Sequence, residues 1–505
     1  MPSRSRRRTF LSRRRRLVLA TGVVLVAGTL AVPAVVSAAT KTGSTGPSTK
    51  RLHDDFNGDG HADLAIGAPG TALGGDARSG AVSVLYGAAG GLSTSRGQVL
   101  KWPAGDYDGG YGTRLQSADL DGDGYADLLS SVRTYMWDID SGYSLVVNWG
   151  GPKGLSERAT TVTTAPQGEW QGEFTVGDVD GDKRPDVVTV GADDWQSENP
   201  GTDNGDGTVW HGPFDREGQP AKKDYFGLRP ERGTRFNALT AGDVNGDGVA
   251  DVVARIGSNG SADSRAVALL TGGSDGLTFK GWLRDAQGHI IGGEDTAIGD
   301  LNKDGYGDVV VGRSDDMYDS AEPPFRGGGL AVVYGGPGGF STTRKPVWFN
   351  QDTAGVPGAS EHSDGMGSGL SIGDTDGDGY ADLATGLPGE DLDKITDAGS
   401  VLVLRGSANG LTATGSKVFT QQTAGVPGTA EKGDKFGAET AFVDPDGDKK
   451  HGLIVGDPAE NAGNGSVWLF SARSGGITAS GSSSFGPTTM GLPPAGARFA
   501  ASLGD

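Results

Sequence analysis

The sequence predicts an all-β protein, a seven-bladed β-propeller of four-stranded antiparallel blades. Two observations predict it: an acidic ten-residue pattern occurs seven times, and short segments of alternating apolar and polar residues surround each copy. A period of this length indicates one repeated supersecondary unit rather than several unrelated domains. The copies start 57 to 74 residues apart, at Asp55, Asp119, Asp178, Asp243, Asp300, Asp374 and Asp444.

Each repeat contains the parts of a four-stranded meander. A short apolar segment precedes the acidic loop, and an apolar run follows it, as at residues 64–66. A Gly/Pro turn leads to an alternating segment that ends in Gly, as at 81–87, and a tight Gly turn leads to a fourth apolar piece, as at 417–419. Alternation with period two and frequent β-branched residues favour strands over helices. Four antiparallel strands repeated seven times are typical of a propeller.

The two ends of the repeat region predict how the ring closes. No apolar strand precedes Asp55, whereas residues 499–503 copy the segment that precedes an acidic loop elsewhere, as at 436–441. We therefore expect residues 499–503 to pair with the run around 64–66 and to complete the first blade. Closure of this kind removes the sheet edge that an open ring would expose.

Composition limits the functions that the chain can have. Its 505 residues include no Cys and six His, and its formal net charge is −20. The lack of Cys excludes disulfides and thiolate metal sites. The six His are scattered and show no triad spacing, so we expect them in loops or at the surface. An acidic surface repels nucleic acid and anionic lipid and attracts cations, so we expect no nucleic-acid partner.

The N-terminal segment is typical of an export signal. Residues 1–16 contain eight Arg, an uncharged stretch follows at 17–39, and residues 36–38 are small, as a signal peptidase requires. Residues 7–11 resemble the twin-arginine signal, although an ordinary secretory signal and an uncleaved anchor remain open. We predict a signal peptide at 1–39, a flexible linker at 40–50 and the propeller at 51–505. The mature protein is then expected to be secreted, monomeric and not inserted in a membrane.

The acidic loop has the ligand pattern of a calcium site. Positions 1, 3, 5 and 9 carry Asp or Asn, and Gly at positions 4 and 6 lets the backbone curl so that these oxygens converge. An oxygen-only site on a turn favours Ca²⁺ over Mg²⁺, which dehydrates reluctantly. An EF-hand loop requires Glu at position 12. Position 12 is Ile66 in the first loop and is not Glu in any of the others, so an EF-hand is excluded.

Six loops keep all four oxygen side chains and are expected to hold about six Ca²⁺ ions. The alternative is a set of acidic surface turns without metal. The predicted side-chain ligands are Asp55, Asn57, Asp59 and Asp63; Asp119, Asp121, Asp123 and Asp127; Asp178, Asp180, Asp182 and Asp186; Asp243, Asn245, Asp247 and Asp251; Asp300, Asn302, Asp304 and Asp308; and Asp374, Asp376, Asp378 and Asp382. The predicted carbonyl ligands at position 7 are His61, Tyr125, Arg184, Val249, Tyr306 and Tyr380.

Three loops depart from the pattern. Lys183 and Lys449 stand at position 6, where a side chain is strained, and Lys303 stands at position 4. The seventh loop, which starts at Asp444, also has Gly452 at position 9. We expect the seventh loop to bind weakly or not at all.

These residues resemble the FG-GAP repeat of integrin α-subunit N-terminal domains and their bacterial secreted relatives. The name-giving Phe-Gly before the loop is intact at 436–437, and Gly-Ala-Pro after it is intact at 67–69. The resemblance covers residues 51–505 and implies a seven-bladed propeller with calcium in the loops between strands 1 and 2. The resemblance does not identify a ligand for this chain, since family members serve in adhesion, in binding and as modules attached to hydrolases.

Two classes of function remain open from the sequence. One is an extracellular binding or adhesion module for a glycan or protein ligand; the other is a secreted hydrolase or lyase that acts on polysaccharide or lipid. No catalytic residue is predicted, because the G-x-S-x-G sequences around Ser274 and Ser371 lack the strand–turn–helix context of a nucleophile elbow.

Aromatic residues suggest where a ligand would bind. Trp137 and Trp195 fall in predicted 2–3 loops of blades two and three, and Trp170 falls in the connection between these blades. In a four-stranded meander these connections share the face opposite the acidic loops, so the three Trp form a candidate ligand face. Trp149 and Trp210 fall in third strands and are expected to be packed.

Overall fold

The computed structural model describes residues 52–74, 78–102, 109–136, 139–164, 170–191, 207–226, 235–257, 265–315 and 326–504. Within these residues the chain forms seven four-stranded antiparallel sheets, which confirms the predicted all-β propeller. In each sheet, strand 1 precedes the acidic loop, strand 2 follows it, and strands 3 and 4 complete the meander. The predicted signal peptide and linker lie outside the described residues.

The strands are short, in keeping with the brief alternating segments of the sequence. Strands 1 to 4 are Leu503–Gly504, Leu64–Ala68, Ala81–Leu85 and Gly97–Lys101 in blade 1; Leu115–Ala118, Asp127–Met136, Ile139–Asn148 and Thr160–Thr164 in blade 2; Trp170–Gly177, Asp186–Gly191, Gly207–His211 and Lys222–Phe226 in blade 3; and Arg235–Gly242, Asp251–Gly257, Val267–Thr271 and Thr278–Trp282 in blade 4. They are Asp295–Gly299, Asp308–Arg313, Gly329–Val333 and Val347–Phe349 in blade 5; Ser368–Gly373, Asp382–Leu387, Ser400–Arg405 and Thr412–Phe419 in blade 6; and Glu439–Val443, Gly452–Asp457, Ser466–Arg473 and Gly476–Phe485 in blade 7.

Little else in the described part of the chain is regular. A two-stranded hairpin, Gly335–Gly336 with Gly339–Phe340, extends blade 5. The helical turns are Thr94–Arg96, Glu460–Gly463 and Pro487–Met490. In the described ranges, no helix has the length and apolar character needed to cross a membrane.

The first strands of the seven blades contact one another in a closed cycle, from blade 1 through blade 7 and back to blade 1. Apolar side chains of neighbouring sheets fill the space between blades. Between blades 7 and 1, for example, Ile454 and Val467 pack with Leu64, Ile66 and Phe499. Removal of such side chains from water is the main favourable contribution to folding.

The C-terminal segment joins blade 1 through a short antiparallel ladder. Leu503 pairs with Ile66, while Phe499 forms a parallel bridge with Gly465 of blade 7. Left-handed backbone stands on both sides of Phe499, with a φ of 51° at Arg498 and of 65° at the residue after Phe499. The ladder of two residues is consistent with the expected closure. Backbone hydrogen bonds also join Gly67 to Ala500 and to Ser502, in keeping with the expected pairing, whereas Phe499 itself packs between blades 7 and 1.

The Phe-Gly and Gly-Ala-Pro segments lie where adjacent blades approach most closely. Phe436 forms the same kind of parallel bridge as Phe499, here with Gly399 of the preceding blade. A Cβ built on Gly67 would lie 2.1 Å from the carbonyl oxygen of Gly112 in the next blade. The two glycines therefore allow a backbone contact that any larger residue would force apart.

Candidate metal centres

The acidic loops share one pattern of hydrogen bonds in all seven blades. The backbone N–H of position 6 donates to Oδ2 of the position-1 aspartate at 2.8 to 3.0 Å. The N–H of position 7 donates to Oδ1 of the position-5 aspartate at 2.9 to 3.2 Å. Asp side chains that accept bonds from nearby backbone in this way hold a tight turn and orient their free oxygens.

Left-handed backbone at positions 4 and 6 closes the loop, as the Gly pattern predicts. The lysines that replace Gly adopt the same conformation, with φ of 70° at Lys183, 61° at Lys303 and 68° at Lys449. A residue with a Cβ loses about 1–2 kcal/mol in this region. The three loops with a lysine in place of Gly thus keep the loop shape, and the lysine backbone is locally strained.

The loop carboxylates converge, as the spacing of positions 1, 3 and 5 predicts. In four loops three carboxylates have oxygens within 4.8 Å of one another: Asp119, Asp121 and Asp127; Asp178, Asp180 and Asp182; Asp374, Asp376 and Asp378; and Asp444, Asp446 and Asp448. The seventh loop, which we expected to bind weakest, brings its first three carboxylates within the same 4.8 Å limit as the loops that start at Asp178 and Asp374. It differs in lacking the carboxylate of position 9.

The position-9 aspartate connects three elements of its blade. In all six loops that keep the four oxygen side chains, the position-9 aspartate is 0% exposed. One oxygen accepts from the N–H of position 2, and the other accepts from the N–H of the glycine that follows strand 3 by one or two residues. For Asp63 the donors are Phe56 at 2.9 Å and Gly87 at 2.8 Å. The same pair of bonds is made by Asp127, Asp186, Asp251, Asp308 and Asp382.

Burial makes these carboxylates costly to ionise in the absence of a cation. It raises the pKa of Asp63 to about 8, that of Asp127 and Asp308 to about 7, and that of Asp251 to about 6. The accepted backbone hydrogen bonds oppose the rise, and neighbouring loop carboxylates add to it by repulsion. A bound divalent cation would offset both burial and repulsion.

The side chains present fit an oxygen-coordinated cation. Asn302, at position 3 of the fifth loop, is 5% exposed, and its Oδ1 has no hydrogen-bond partner. Asp and Asn oxygens at positions 1, 3, 5 and 9 are the hard ligands that Ca²⁺ takes. Coordination by the position-7 carbonyls stays a prediction.

Each loop is also tied to the blade that follows it. The carbonyl oxygen of Asp55 accepts from the N–H of Ala126 at 2.9 Å, and that of Asp178 accepts from Ala250 at 2.7 Å. Equivalent bonds join blade 4 to 5, blade 5 to 6 and blade 6 to 7. Order in a loop is therefore coupled to the interface between blades, so a metal that orders the loops would stabilise the whole ring.

Basic side chains enter some of the loops, which the sequence analysis missed. Arg405, at the end of strand 3 of blade 6, pairs with Asp376 and with Asp382, the latter at 3.2 Å from Nη1 to Oδ2. Arg216 of blade 3 contacts Asp121 of the neighbouring loop at 2.7 Å. These fixed charges neutralise part of the carboxylate charge of their loops.

His211 holds the place in blade 3 that Arg405 holds in blade 6. It is 5% exposed, so the expectation of a loop or surface residue was wrong. Its Nδ1 lies 3.0 Å from Oδ2 of Asp180 and 3.4 Å from Oδ1 of Asp186, and its Nε2 lies 3.1 Å from Oδ2 of Asp224. The sequence signal that could have identified His211 is its position directly before Gly212, the glycine that follows strand 3.

The candidate ligand face falls almost wholly outside the described residues. Trp137 and Trp195 lie outside them, and Trp170 is described only as the first residue of strand 1 of blade 3, not as part of the connection before it. Trp149 and Trp210 are 4% and 9% exposed, which confirms that they are packed. Ligand binding by the first three Trp stays a prediction.

The fold and the loops define a class of protein, a seven-bladed propeller with an acidic, turn-built loop between strands 1 and 2 of each blade. A model of the FG-GAP repeat family matches residues 53–85 and 366–404, which contain the loop and strands 2 and 3 of blades 1 and 6. The chain therefore contains FG-GAP repeats, which confirms the FG-GAP resemblance drawn from the motifs, while the resemblance to bacterial secreted relatives stays an expectation.

Curated relatives match parts of the propeller. Phosphatidylinositol-glycan-specific phospholipase D of Mus musculus is 30% identical over 162 residues, which cover 32% of this chain and 17% of the relative. Integrin alpha-6 of Homo sapiens is 34% identical over 139 residues, 26% of this chain and 11% of the relative. The chain thus spans less than a fifth of the length of these relatives. The solved exotype rhamnogalacturonan lyase YesX is 14% identical with a TM-score of 0.32, over 82% of this chain and 77% of that one.

Proposed function

We propose that this protein is a secreted calcium-binding propeller and that it acts as an extracellular binding or adhesion module for a glycan or protein ligand. The convergence of loop carboxylates around a common backbone turn carries the calcium part of the proposal. Similarity to integrin alpha-6 supports the binding part. Loops 1 to 6 would hold about six Ca²⁺ ions, with side chains at positions 1, 3, 5 and 9 as ligands.

Calcium would serve mainly to stabilise the ring. Each intact loop places a fully buried aspartate beside further carboxylates, and most loops are hydrogen-bonded to the next blade. A cation in the loop lowers the free energy of the ionised, folded state and leaves the unfolded chain unaffected. A propeller stabilised in this way can remain folded outside the cell without disulfides.

Calcium removal is expected to lower the melting temperature of the protein. Extracellular calcium modules bind with dissociation constants of roughly 0.1–1 mM. At a free concentration ten times the dissociation constant, each site contributes about 1.4 kcal/mol. Thermal unfolding followed by circular dichroism, with chelator and with millimolar calcium, measures the effect. Magnesium at equal ionic strength is the control, and equal melting in chelator and in calcium would contradict a structural role.

The pH dependence of the metal-free protein gives a second readout. Because the folded pKa of the position-9 aspartates is raised, the folded state binds their protons more tightly than the unfolded chain does. Stability in chelator should therefore fall as pH rises from about 4 towards 8. Calcium binds the ionised carboxylates, so this loss should shrink when calcium is present.

The triple replacement of Trp137, Trp170 and Trp195 by Ala is expected to weaken ligand binding and to leave folding and calcium binding nearly intact. Exposed aromatic side chains provide contact area for sugars and proteins. A glycan array with and without calcium measures binding, and the melting temperature reports folding. The matched control is Trp149→Ala, which empties a buried site and should destabilise the protein. Unfolding of the triple variant would show instead that these residues belong to the core.

A second candidate function is a secreted hydrolase or lyase that acts on polysaccharide or lipid, with the propeller as its scaffold. Similarity to a phospholipase D favours this candidate. The Ser371 sequence does not support it, because Ser371 lies inside a strand with its Oγ 2.8 Å from Oγ1 of Thr440. New reducing ends or released lipid after incubation with the array ligands would favour the enzyme over the binding module.

A further inference from the structure

We infer that the acidic loop of blade 3 is a transition-metal site of the kind that takes Zn²⁺, rather than another calcium site. The inference departs from the proposed function at this one loop, where zinc would take the place of one of the six Ca²⁺ ions, and it does not require calcium in the other five loops. It rests on a nitrogen ligand that the structure adds to the carboxylates of this loop, and on a carboxylate behind that nitrogen.

Three elements bring the ligand atoms together. Asp180 lies in the loop, Asp186 is the first residue of strand 2, and His211 is the last residue of strand 3. Their ligand atoms all lie within 4.8 Å of one another, with Nδ1 of His211 at 3.0 and 3.4 Å from the two carboxylate oxygens. Adjacent ligands of a tetrahedral zinc ion with bonds of about 2.0–2.1 Å are about 3.3 Å apart. The two separations between Nδ1 and the carboxylate oxygens therefore match the ligand spacing of one zinc ion.

The imidazole itself indicates a missing partner. His211 is 5% exposed, and its Nδ1 makes no hydrogen bond although it points at Asp180 and Asp186. A buried polar atom left without a hydrogen bond is destabilising. A metal ion bound between Nδ1 and the two carboxylates would satisfy this nitrogen and neutralise the carboxylates at the same time.

Asp224 supplies the outer support that metal-binding histidines require. Its Oδ2 lies 3.1 Å from Nε2 of His211, so an N–H at Nε2 donates to it and leaves the Nδ1 lone pair facing the loop. The carboxylate of Asp224 also accepts a hydrogen bond from the ammonium group of Lys222, which holds it in place behind the imidazole. A carboxylate, a histidine and a metal arranged in this order fix the orientation of the imidazole and strengthen it as a ligand.

The donor set separates blade 3 from the other loops. Imidazole suits zinc, copper, iron and nickel, whereas calcium takes oxygen ligands. At the equivalent position blade 4 has Thr271, and blade 6 has Arg405, which pairs with its loop but cannot ligate a metal. Among the described residues, the group of Asp180, Asp186 and His211 is the one acidic loop cluster that includes a nitrogen donor.

Zinc titration of the full chain in saturating calcium tests the inference. Isothermal calorimetry should show one zinc per chain, and His211→Asn should abolish that binding. Asp224→Asn should weaken it about 10- to 100-fold, as expected when the outer partner of a metal ligand is lost. The matched control is His289→Asn, because His289 also lies 3.1 Å from a carboxylate, that of Asp285, but is half exposed and stands in no such cluster. This control should bind zinc as the unchanged protein does.

The outcomes separate the possible roles of His211. Absence of zinc binding, or equal zinc affinity in the His211→Asn variant, would overturn the inference and leave His211 as a buried polar neighbour of the loop carboxylates. If His211→Asn fails to fold, Asp224→Asn decides, because the Asp224 side chain is 46% exposed and its loss should leave the melting temperature nearly unchanged. Calcium titration of the same samples tests the proposed function separately. Zinc binding without calcium binding would refute only the calcium proposal.

Discussion

Deletion of residues 495–505 is expected to lower the melting temperature strongly. The deletion removes strand 1 of blade 1 and leaves Ala65 and Ile66 at an open sheet edge. It also removes Phe499, which is 0% exposed and packs 5.8 Å from the ring of Phe485. Thermal unfolding in calcium, followed by circular dichroism, compares the shortened chain with the full one. Equal melting temperatures would mean that the ring does not depend on this segment.

A point variant separates packing from strand pairing. Phe499→Ala leaves the backbone of the segment in place and is expected to reduce the free energy of unfolding by about 3–5 kcal/mol, the usual effect of emptying a buried aromatic site. The control is Phe279→Ala on strand 4 of blade 4, where the residue is 40% exposed and the expected change is within about 0.5 kcal/mol. A small effect of Phe499→Ala beside a large effect of the deletion would assign the stability to the pairing of Leu503 and Gly504.

The repeat arithmetic was sufficient to predict the blades because each acidic loop sits at a fixed place in its meander. Strand 2 begins at position 9 of the loop in blades 2 to 7, so the loop starts at Asp119 and Asp374 locate the strands as well as the ligands. The seven copies also determine the number of sheets. Alternating residues that face neighbouring sheets supply the core, which is why composition and periodicity indicate the fold without any knowledge of contacts.

Contacts between distant segments could not be predicted in the same way. The loop pattern ends ten residues after it begins, yet His211 reaches its loop from the end of strand 3, and Arg216 reaches the loop of the preceding blade. The path of the closing segment includes left-handed backbone at Arg498, a residue type that gives no such signal in the sequence. These features follow from how blades pack rather than from the repeat itself.

Asp63→Ala is expected to destabilise the protein by roughly 2–6 kcal/mol, far more than the equivalent loss in a partly exposed ligand. The replacement leaves the buried N–H groups of Phe56 and Gly87 without an acceptor, and each such group costs about 1–3 kcal/mol. It also removes a calcium ligand from the first loop, so the destabilisation should be larger in calcium than in chelator. Chemical unfolding in both conditions measures the two contributions.

The matched control for Asp63→Ala is Asp448→Ala in the seventh loop. The Asp448 side chain is 44% exposed, lies in a loop without a position-9 carboxylate, and pairs with Lys450 at 2.9 Å. Exposed pairs of this kind contribute little, so the expected change is within about 1 kcal/mol and independent of calcium. Equal effects of the two variants would contradict the role assigned to position 9. A loss at Asp63 that is the same in calcium and in chelator would show that this aspartate acts through its backbone hydrogen bonds alone, as a connector of loop, strand 2 and strand 3 rather than as a metal ligand.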